Sequence, residues 1–181
     1  MITVRNLSKR FGDHLVLDSV SLSVQRGETV ALLGPSGGGK TTLLRCLIGL
    51  EQFDEGEVEV DSIVIRSGES GADHVRRLRE IRRRCGFVFQ QYNLFPHKTV
   101  LENVTLAPIK VRHLPREQAS HQALALLEEL GLRDKAHQYP SRCSCGEQQR
   151  TAIARALAMQ PDYLLYDEPT SALDSARAQE I

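Results

Sequence analysis

A glycine-rich segment at residues 34–41 has the residue types that a phosphate-binding loop requires. It reads Gly-Pro-Ser-Gly-Gly-Gly-Lys-Thr and matches the pattern G-x-x-x-x-G-K-[ST]. Glycines let backbone N–H groups turn inward around phosphate oxygens, and a following helix directs its positive dipole end at the same charge. Lys40 would reach the β- and γ-phosphates, and the Thr41 hydroxyl would bind Mg²⁺. The predicted nucleotide-binding residues are Gly34, Pro35, Ser36, Gly37, Gly38, Gly39, Lys40, Thr41 and Thr42.

An acidic pair, Asp167 and Glu168, follows a short apolar run at residues 163–166. An acid at a strand end beside a phosphate loop is suited to hold Mg²⁺, directly or through water, and Asp167 is the candidate for this role. Glu168 is placed to act as general base on the attacking water. The alternative is a solvent-facing acidic pair, but the presence of the phosphate loop favours the catalytic interpretation.

The hydrophobic pattern predicts the elements that would position these residues. A β-branched run at residues 2–7 and period-2 alternation at residues 16–24 and 56–66 predict strands. The continuous apolar run at residues 29–33 is typical of a strand buried on both faces of a parallel sheet. Residues 41–50 have helical spacing directly after the glycines. Further helices are predicted at residues 75–84, 116–130 and 148–159, and short strands at residues 85–89 and 163–166.

Composition limits the classes of protein that the sequence can represent. The 181 residues include 23 Lys and Arg and 23 Asp and Glu, so the formal net charge is zero. This balance argues against a nucleic-acid protein that works through bulk positive charge. An apolar fraction of 41% and a charged fraction of 25% are ordinary for a globular domain with its own core. No apolar run is long enough to span a bilayer, and the first residues do not resemble a signal segment.

Two clusters of reactive or charged side chains have ordinary interpretations. Cys143 and Cys145 belong to no CxxC pair and have no close histidine, so free thiols in a reducing compartment are favoured over a metal site. Six arginines lie within residues 76–84. With Glu80 among them, a solvated helix face is favoured over a nucleic-acid or lipid-headgroup patch.

Four motifs in a fixed order make the sequence, from Leu7 onward, resemble the ATP-binding subunits of ABC transporters. The phosphate loop alone is shared with many families. Residues 87–91, Phe-Val-Phe-Gln-Gln, resemble the Q-loop, with Gln90 as its glutamine. Residues 166–174 resemble Walker B running into the D-loop, and residues 140–150 lie where the family signature belongs. The four motifs in this order indicate the family far more specifically than any one of them does alone.

The resemblance implies roles for further residues. Phe11 lies where the family stacks an aromatic ring on adenine, and the alternative is a phenylalanine packed at a strand end. Gln90 would contact Mg²⁺ and the attacking water and would couple the site to a membrane partner. Ser144 and Gly146 belong to the signature, which faces the nucleotide of a second subunit, and Asp174 would lie at the same dimer seam.

The resemblance also implies ligands and partners. The ligands are ATP and Mg²⁺, and two ATP-binding subunits clasp two ATP molecules head to tail. ATP then shifts the population between open and closed dimers. Membrane permease subunits and, indirectly, a solute-binding protein are the other implied partners, and nucleic acid is not among them. The expected location is the cytoplasmic face of the cell membrane, as a peripheral subunit.

A narrower resemblance indicates an importer of polar amino acids. It depends on residues 91–97, 99–104 and 107–109, and on Leu44-Arg45-Cys46. Related importers and lipoprotein-release ATPases share parts of these segments, so the assignment rests on family analogy alone. The solute cannot be read from this chain, because in this family the binding protein and the permease select it.

The sequence departs from the family in two places. The signature reads Leu-Ser-Gly-Gly-Gln in the family and Cys-Ser-Cys-Gly-Glu at residues 143–147 here. Cys145 adds a Cβ where a close approach and a glycine-type conformation are expected, and Glu147 adds negative charge near an incoming phosphate. We therefore expect weakened ATP-dependent dimerisation. No histidine follows Asp167, so the histidine that contacts the γ-phosphate in the family has no candidate.

The predicted fold class is α/β. It is a RecA-like P-loop NTPase core with a mainly parallel sheet, an N-terminal antiparallel β portion and an inserted helical subdomain, incomplete at the C-terminus. The ABC-type ATP-binding domain is expected over residues 1–181, with the core at 1–91 and 151–181 and the helical subdomain at 92–150. The leading function is an importer ATPase. The alternatives are a nucleotide-binding chain with poor hydrolysis and a soluble ABC-type ATPase that is not coupled to transport.

Overall fold

A computed structural model describes residues 1–167 of the chain, which form two compact units. The first unit is Met1–Cys85, and the second begins at Gly86. The division of the domain into a core and a helical subdomain at residues 92–150 stays a prediction. One helix, Cys145–Leu157, runs without interruption across the predicted boundary at residue 150.

The first unit is built on a four-stranded antiparallel sheet with the strand order β2-β1-β3-β4. Its side chains alternate between buried and more exposed positions at the start of the first strand and the end of the third, because successive residues of a strand point to opposite faces. The sheet is the antiparallel β portion that the N-terminal alternation predicts. Its strands are β1 (Ile2–Phe11), β2 (His14–Val24), β3 (Glu55–Val60) and β4 (Ile63–Arg66).

Two helices accompany this sheet. Helix α1 (Lys40–Leu47) buries four apolar side chains, and its contacts include strand β2. Helix α2 (Ala72–Arg84) packs along β4. The prediction extended α1 to residue 50, but the helix ends earlier, and Gly49 follows with a left-handed φ of 64°. Burial raises the pKa of the α1 thiol Cys46 to about 12, so this cysteine is a core residue rather than a nucleophile.

The prediction of a buried strand at residues 29–33 is wrong in the described structure. These residues have no regular secondary structure, and Val30 and Leu33 are 44% and 92% exposed. A strand buried on both faces needs a neighbour on each side to accept its backbone hydrogen bonds. Within residues 1–167, neither of the two sheets includes this run. The mainly parallel core sheet therefore remains a prediction.

The arginine-rich helix α2 is tied into the first unit by ion pairs and hydrogen bonds. Arg84 pairs with Asp61 at 2.9 Å, and Arg77 pairs with Glu69 at 3.0 Å. Arg82 donates to the carbonyl oxygens of Ile48 and Gly49 at 2.9 and 2.6 Å, directly after α1. These contacts tie Arg77, Arg82 and Arg84 to the first unit. The other three arginines, Arg76, Arg79 and Arg83, are exposed, as a solvated helix face predicts.

Up to residue 167, the second unit combines three helices with a short two-stranded sheet. The strands are β5 (Cys85–Val88, whose first residue closes the first unit) and β6 (Tyr163–Tyr166). The helices are α3 (Val100–Val111), α4 (Arg116–Glu129) and α5 (Cys145–Leu157), with 3₁₀ turns at Arg133–Lys135 and Pro140–Arg142. Their shared core contains Val100, Val104, Ala123, Leu127, Leu132, Ala136, Cys143, Ala154 and Ala158.

Helix α3 was not predicted as a separate element. Thr99 caps its N-terminus by accepting a hydrogen bond from the Glu102 N–H at 3.2 Å, and the Glu102 carboxylate accepts from the Thr99 N–H at 2.8 Å. This reciprocal capping box has a sequence signal, T-x-x-E before an apolar run. Pro108 lies inside the helix and weakens the helical signal there.

Among residues 1–167, none of the helices combines the length and the apolar character that crossing a membrane would need.

Candidate functional site

The glycine loop forms a tight turn directly before helix α1. The Gly38 N–H donates to the Pro35 carbonyl at 3.1 Å, and Gly37 and Gly39 have φ angles of 77° and 82°. These left-handed conformations are unfavourable for residues with a side chain, so the glycines are required by the backbone path. Lys40 is the first residue of α1, and its N-cap, Gly39, supplies no side-chain capping bond. The loop thus combines exposed backbone with the positive end of a helix dipole, as a phosphate site requires.

Lys40 folds back over this loop. Its ammonium donates to the carbonyl oxygens of Gly34 at 3.1 Å and Pro35 at 2.8 Å. The positive charge is therefore held at the loop that would receive the phosphates. Thr41 and Thr42 follow in the first turn of α1, where both are partly exposed.

The hairpin of β1 and β2 brings Phe11 and the glycine loop into one region of the first unit. Phe11 is the last residue of β1 and pairs with His14 across the turn. A few residues along β2, the Leu17 side chain and the Val16 backbone contact Gly39. Phe11 is 49% exposed, which contradicts the alternative of a packed strand-end side chain. An exposed aromatic ring on the hairpin that also contacts the glycine loop is suited to stack on a base.

In the second unit, the Q-loop glutamine and the Walker B aspartate follow adjacent strand ends. The Asp167 N–H, directly after β6, donates to the carbonyl of Val88, the last residue of β5, at 3.0 Å. Gln90 lies two residues beyond Val88 in an exposed turn, whereas Asp167 is only 3% exposed. Ligands commonly bind beyond the carboxyl ends of strands in open α/β sheets. The predicted residues Glu168 and Asp174 lie outside the described residues.

The signature segment opens helix α5 through a second capping box. Ser144 is the N-cap: its hydroxyl accepts from the Glu147 N–H at 3.3 Å, and its own N–H donates to the Glu147 carboxylate at 2.7 Å. That backbone hydrogen bond, more than any other contact, lowers the pKa of Glu147. Lys135 lies 3.7 Å from the carboxylate. The carboxylate therefore stays ionised and occupies its own helix N-terminus.

The structure corrects one expectation about Cys145. It is the first residue of α5, its φ is not in the left-handed region, and its side chain is exposed. Ordinary helical backbone accommodates a Cβ at this position, so no glycine-type conformation is needed in this chain. A Cβ at the neighbouring Gly146 would meet only the Arg150 guanidinium, at 3.5 Å.

Arg155 is a residue near the site that sequence reasoning missed. It lies in α5, eleven residues after Ser144, and its guanidinium donates to the carbonyls of Tyr92 and Asn93 at 2.7 and 2.6 Å. Both acceptor residues have left-handed φ angles, 58° and 48°. Burial lowers the pKa of Arg155. The arginine thus connects the signature helix to the loop that follows Gln90, and no motif in a single sequence reveals this contact.

The candidate donors of the two units, each taken by itself, are of the type that suits a magnesium ion bound mainly through a nucleotide. Mg²⁺ prefers oxygen ligands and usually takes only one or two from protein carboxylates, the others being phosphates and water. The Thr41 hydroxyl, the Gln90 amide and the Asp167 carboxylate are donors of this kind. Among residues 1–167, no three His, Cys, Asp or Glu side chains cluster as a self-sufficient metal site.

Comparison with known proteins gives a family and several close relatives. The model of the ABC transporter family matches residues 17–171. The chain is 47% identical over 181 residues to the glutamine transport ATP-binding protein GlnQ of Bacillus subtilis (strain 168), covering all of this chain and 72% of that protein. It is 49% identical over 180 residues to the L-cystine transport system ATP-binding protein TcyN of Escherichia coli (strain K12), covering 99% of this chain and 72% of that protein.

A solved structure also resembles this chain, and like the relatives above it is an ATP-binding protein. The dimeric post-hydrolysis structure of the ATP-binding cassette MJ0796 bound to ADP and Pi superposes with a TM-score of 0.86 at 41% identity. The match covers the whole of this chain and 79% of that one. At this identity the likeness supports a shared ATP-binding cassette fold.

We expect Arg155→Met to loosen the loop after Gln90, because it removes two hydrogen bonds that a charged group donates to the backbone carbonyls of this loop. The free energy of unfolding should fall by about 2 kcal/mol, and backbone hydrogen exchange over residues 89–95 should accelerate. The matched control is Arg79→Met on α2, where the arginine is exposed. Equal exchange rates over residues 89–95 in both variants would show that the guanidinium does not hold this loop.

Proposed function

The chain belongs to the ABC transporter family of ATP-binding proteins, and we propose that it binds and hydrolyses ATP to energise an importer of amino acids. The observation that carries this proposal is the glycine loop with its left-handed glycines and the Lys40 ammonium above them, directly before α1. Backbone N–H groups, a helix N-terminus and one cation at a single loop are suited to a polyphosphate.

Each described part of the site has a place in nucleotide binding. The backbone of residues 34–41 would surround the β-phosphate, with Lys40 balancing charge on the β- and γ-phosphates. The half-exposed Phe11 ring would stack on the adenine base. The exposed Ser144 hydroxyl and the Gly146 backbone open α5, whose N-terminus would face the nucleotide of a second subunit.

Hydrolysis would use the residues that follow β5 and β6. Gln90 would orient the attacking water, Glu168 would accept its proton, and Asp167 would hold the position of the metal ion. Bound Mg²⁺ would neutralise charge on the phosphate oxygens as it develops in the transition state. The position of Asp167 supports this role, because its backbone is hydrogen-bonded to the last residue of β5, and Gln90 follows that residue by two positions.

A homodimer and a membrane permease are the proposed partners. The dimeric cassette MJ0796, whose structure contains ADP and Pi, supports pairing of two copies, and the head-to-tail arrangement is part of the proposal. The named relatives are transport ATP-binding proteins, which supports peripheral association with a membrane through a permease. A solute-binding protein would act indirectly, by delivering the solute to the permease.

Amino acids are the proposed solute class. The relatives named above are named for the transport of glutamine and L-cystine. A third relative is the general L-amino acid transport ATP-binding protein AapP of Rhizobium johnstonii (strain DSM 114642 / LMG 32736 / 3841). It is 44% identical to this chain, and the match covers 99% of this chain and 68% of that protein. These names favour polar amino acids as the class.

A second candidate function is nucleotide binding with slow hydrolysis, and one observation favours it. The Glu147 carboxylate lies at the N-terminus of α5, where an incoming phosphate would be attracted. A fixed negative charge there already interacts with the positive end of the helix dipole, and it repels a second anion. Lys135, 3.7 Å away, offsets part of this charge.

Substitution of Lys40 tests the proposed function. We expect Lys40→Met to abolish ATP hydrolysis and to weaken ATP binding at least tenfold, because one ammonium near two phosphates contributes more than about 1.4 kcal/mol. The measurement is phosphate release and equilibrium ATP binding. The control is Lys110→Met, at an exposed lysine of α3. Unchanged phosphate release by Lys40→Met would contradict the proposal.

Substitution of Glu147 separates the two candidate functions. Glu147→Gln keeps an oxygen that can accept from the Ser144 N–H, so the cap survives while the charge is removed. It should raise ATP turnover about twofold to fivefold, from the roughly 0.3–1 kcal/mol that a charge contributes near a helix N-terminus.

The capping box of α3 provides the matched control for this experiment. Glu102→Gln makes the same change at the same helical position. It should change stability as Glu147→Gln does and leave turnover unchanged. A rise in turnover with Glu102→Gln, or none with Glu147→Gln, would show that the Glu147 charge does not limit hydrolysis.

A further inference from the structure

A buried lysine lies beside the aromatic ring that would receive the base. Lys9 on β1 is only 8% exposed, and its ammonium lies 3.0 Å from the Glu51 carboxylate and 4.8 Å from the centre of the Phe11 ring. Burying an ammonium is costly unless it is paired, so the ion pair with Glu51 explains how the lysine is tolerated. The phosphate-binding and catalytic roles proposed above do not use this charge.

The ammonium restricts the Phe11 ring. A cation over an aromatic face is attracted by the ring electrons, and the attraction is stronger when the pair is shielded from water. One face of the ring is covered in this way, while the side chain as a whole keeps 49% of its surface exposed. The lysine therefore holds the ring on one side and leaves surface for a second flat group.

Glu51 connects this lysine to the helix that begins at the glycine loop. The N–H groups of Leu50 and Glu51 donate to the Arg45 carbonyl of α1 at 2.9 and 3.3 Å, so Glu51 is fixed to the end of that helix. Two further bonds join the same segment to β1: Asp54 N–H donates to the Ser8 carbonyl at 2.9 Å, and the Arg10 N–H donates to the Asp54 carboxylate at 2.6 Å.

We propose that Lys9 is a positioning residue for the nucleotide base: through Glu51 and the Phe11 ring, it sets the stacking surface relative to the phosphate loop. This inference rests on the proposed function, because it requires that Phe11 stacks on the base of a bound nucleotide. Lys9 itself touches no part of the nucleotide. Its loss should weaken recognition of the base and leave recognition of the phosphates intact.

The test compares two ligands that share phosphates and differ in the base. Equilibrium binding of ATP and of inorganic tripolyphosphate is measured for the full chain and for Lys9→Met, Phe11→Ala and the double variant. We expect Lys9→Met to weaken ATP binding about threefold to tenfold, the range of a shielded cation–π contact, with tripolyphosphate binding unchanged. In the Phe11→Ala background, Lys9→Met should have no further effect on ATP binding.

A second variant guards against misfolding from an unpaired carboxylate. Lys9→Met combined with Glu51→Gln leaves neither charge in place and should reproduce the selective loss of ATP affinity. Equal weakening for ATP and tripolyphosphate in both variants would assign Lys9 a purely structural role and overturn the inference, as would ATP affinity that Lys9→Met does not change. If Phe11→Ala itself leaves ATP affinity unchanged, the proposed stacking role fails instead, and the inference fails with it.

Discussion

Gly39 brings the start of helix α1 against strand β2 at a distance that no side chain permits. A Cβ at this position would lie 2.9 Å from the Leu17 side chain and 3.0 Å from the Val16 carbonyl oxygen, and the φ of 82° is left-handed. This close approach fixes where α1 begins, and therefore where Lys40 and Thr41 lie. The same hairpin carries Phe11 and Lys9, so the proposed base and phosphate contacts depend on one close backbone approach.

The second unit depends in a similar way on helix α5. Its first turn presents the signature serine within a capping box, and near its other end Arg155 holds the loop that follows Gln90. A rigid helix moves as one body. The segment at its N-terminus and the loop that is hydrogen-bonded to its side would therefore move together. We therefore expect a displacement of Ser144 to reach the loop after Gln90 through the helix and the Arg155 guanidinium.

The sequence predicts several local elements well, because each carries a strong local constraint. The glycine loop, the α1 helix and the hairpin alternation depend on neighbours within a few residues. The fold of residues 29–33 does not depend on near neighbours alone. An apolar run indicates burial, but whether it forms a strand depends on pairing partners far along the chain. Within residues 1–167, no strand pairs with this run. The contacts of Lys9 and Arg155 also depend on the tertiary fold. Lys9 pairs with a residue more than 40 positions away, and Arg155 donates to residues more than 60 positions away. Glu147 is the opposite case, because its capping box can be read locally from the sequence pattern S-x-x-E. The expectation drawn from the family resemblance concerned only the negative charge of this residue.

The most direct test of nucleotide binding at the glycine loop is backbone hydrogen exchange of the full chain with and without Mg-ATP. Binding of phosphates by the N–H groups of this loop predicts slowed exchange at residues 36–42, where exposed amides would acquire acceptors, with little change along strands β3 and β4. Unchanged exchange at residues 36–42 under saturating nucleotide would contradict the assignment of this loop as the phosphate site.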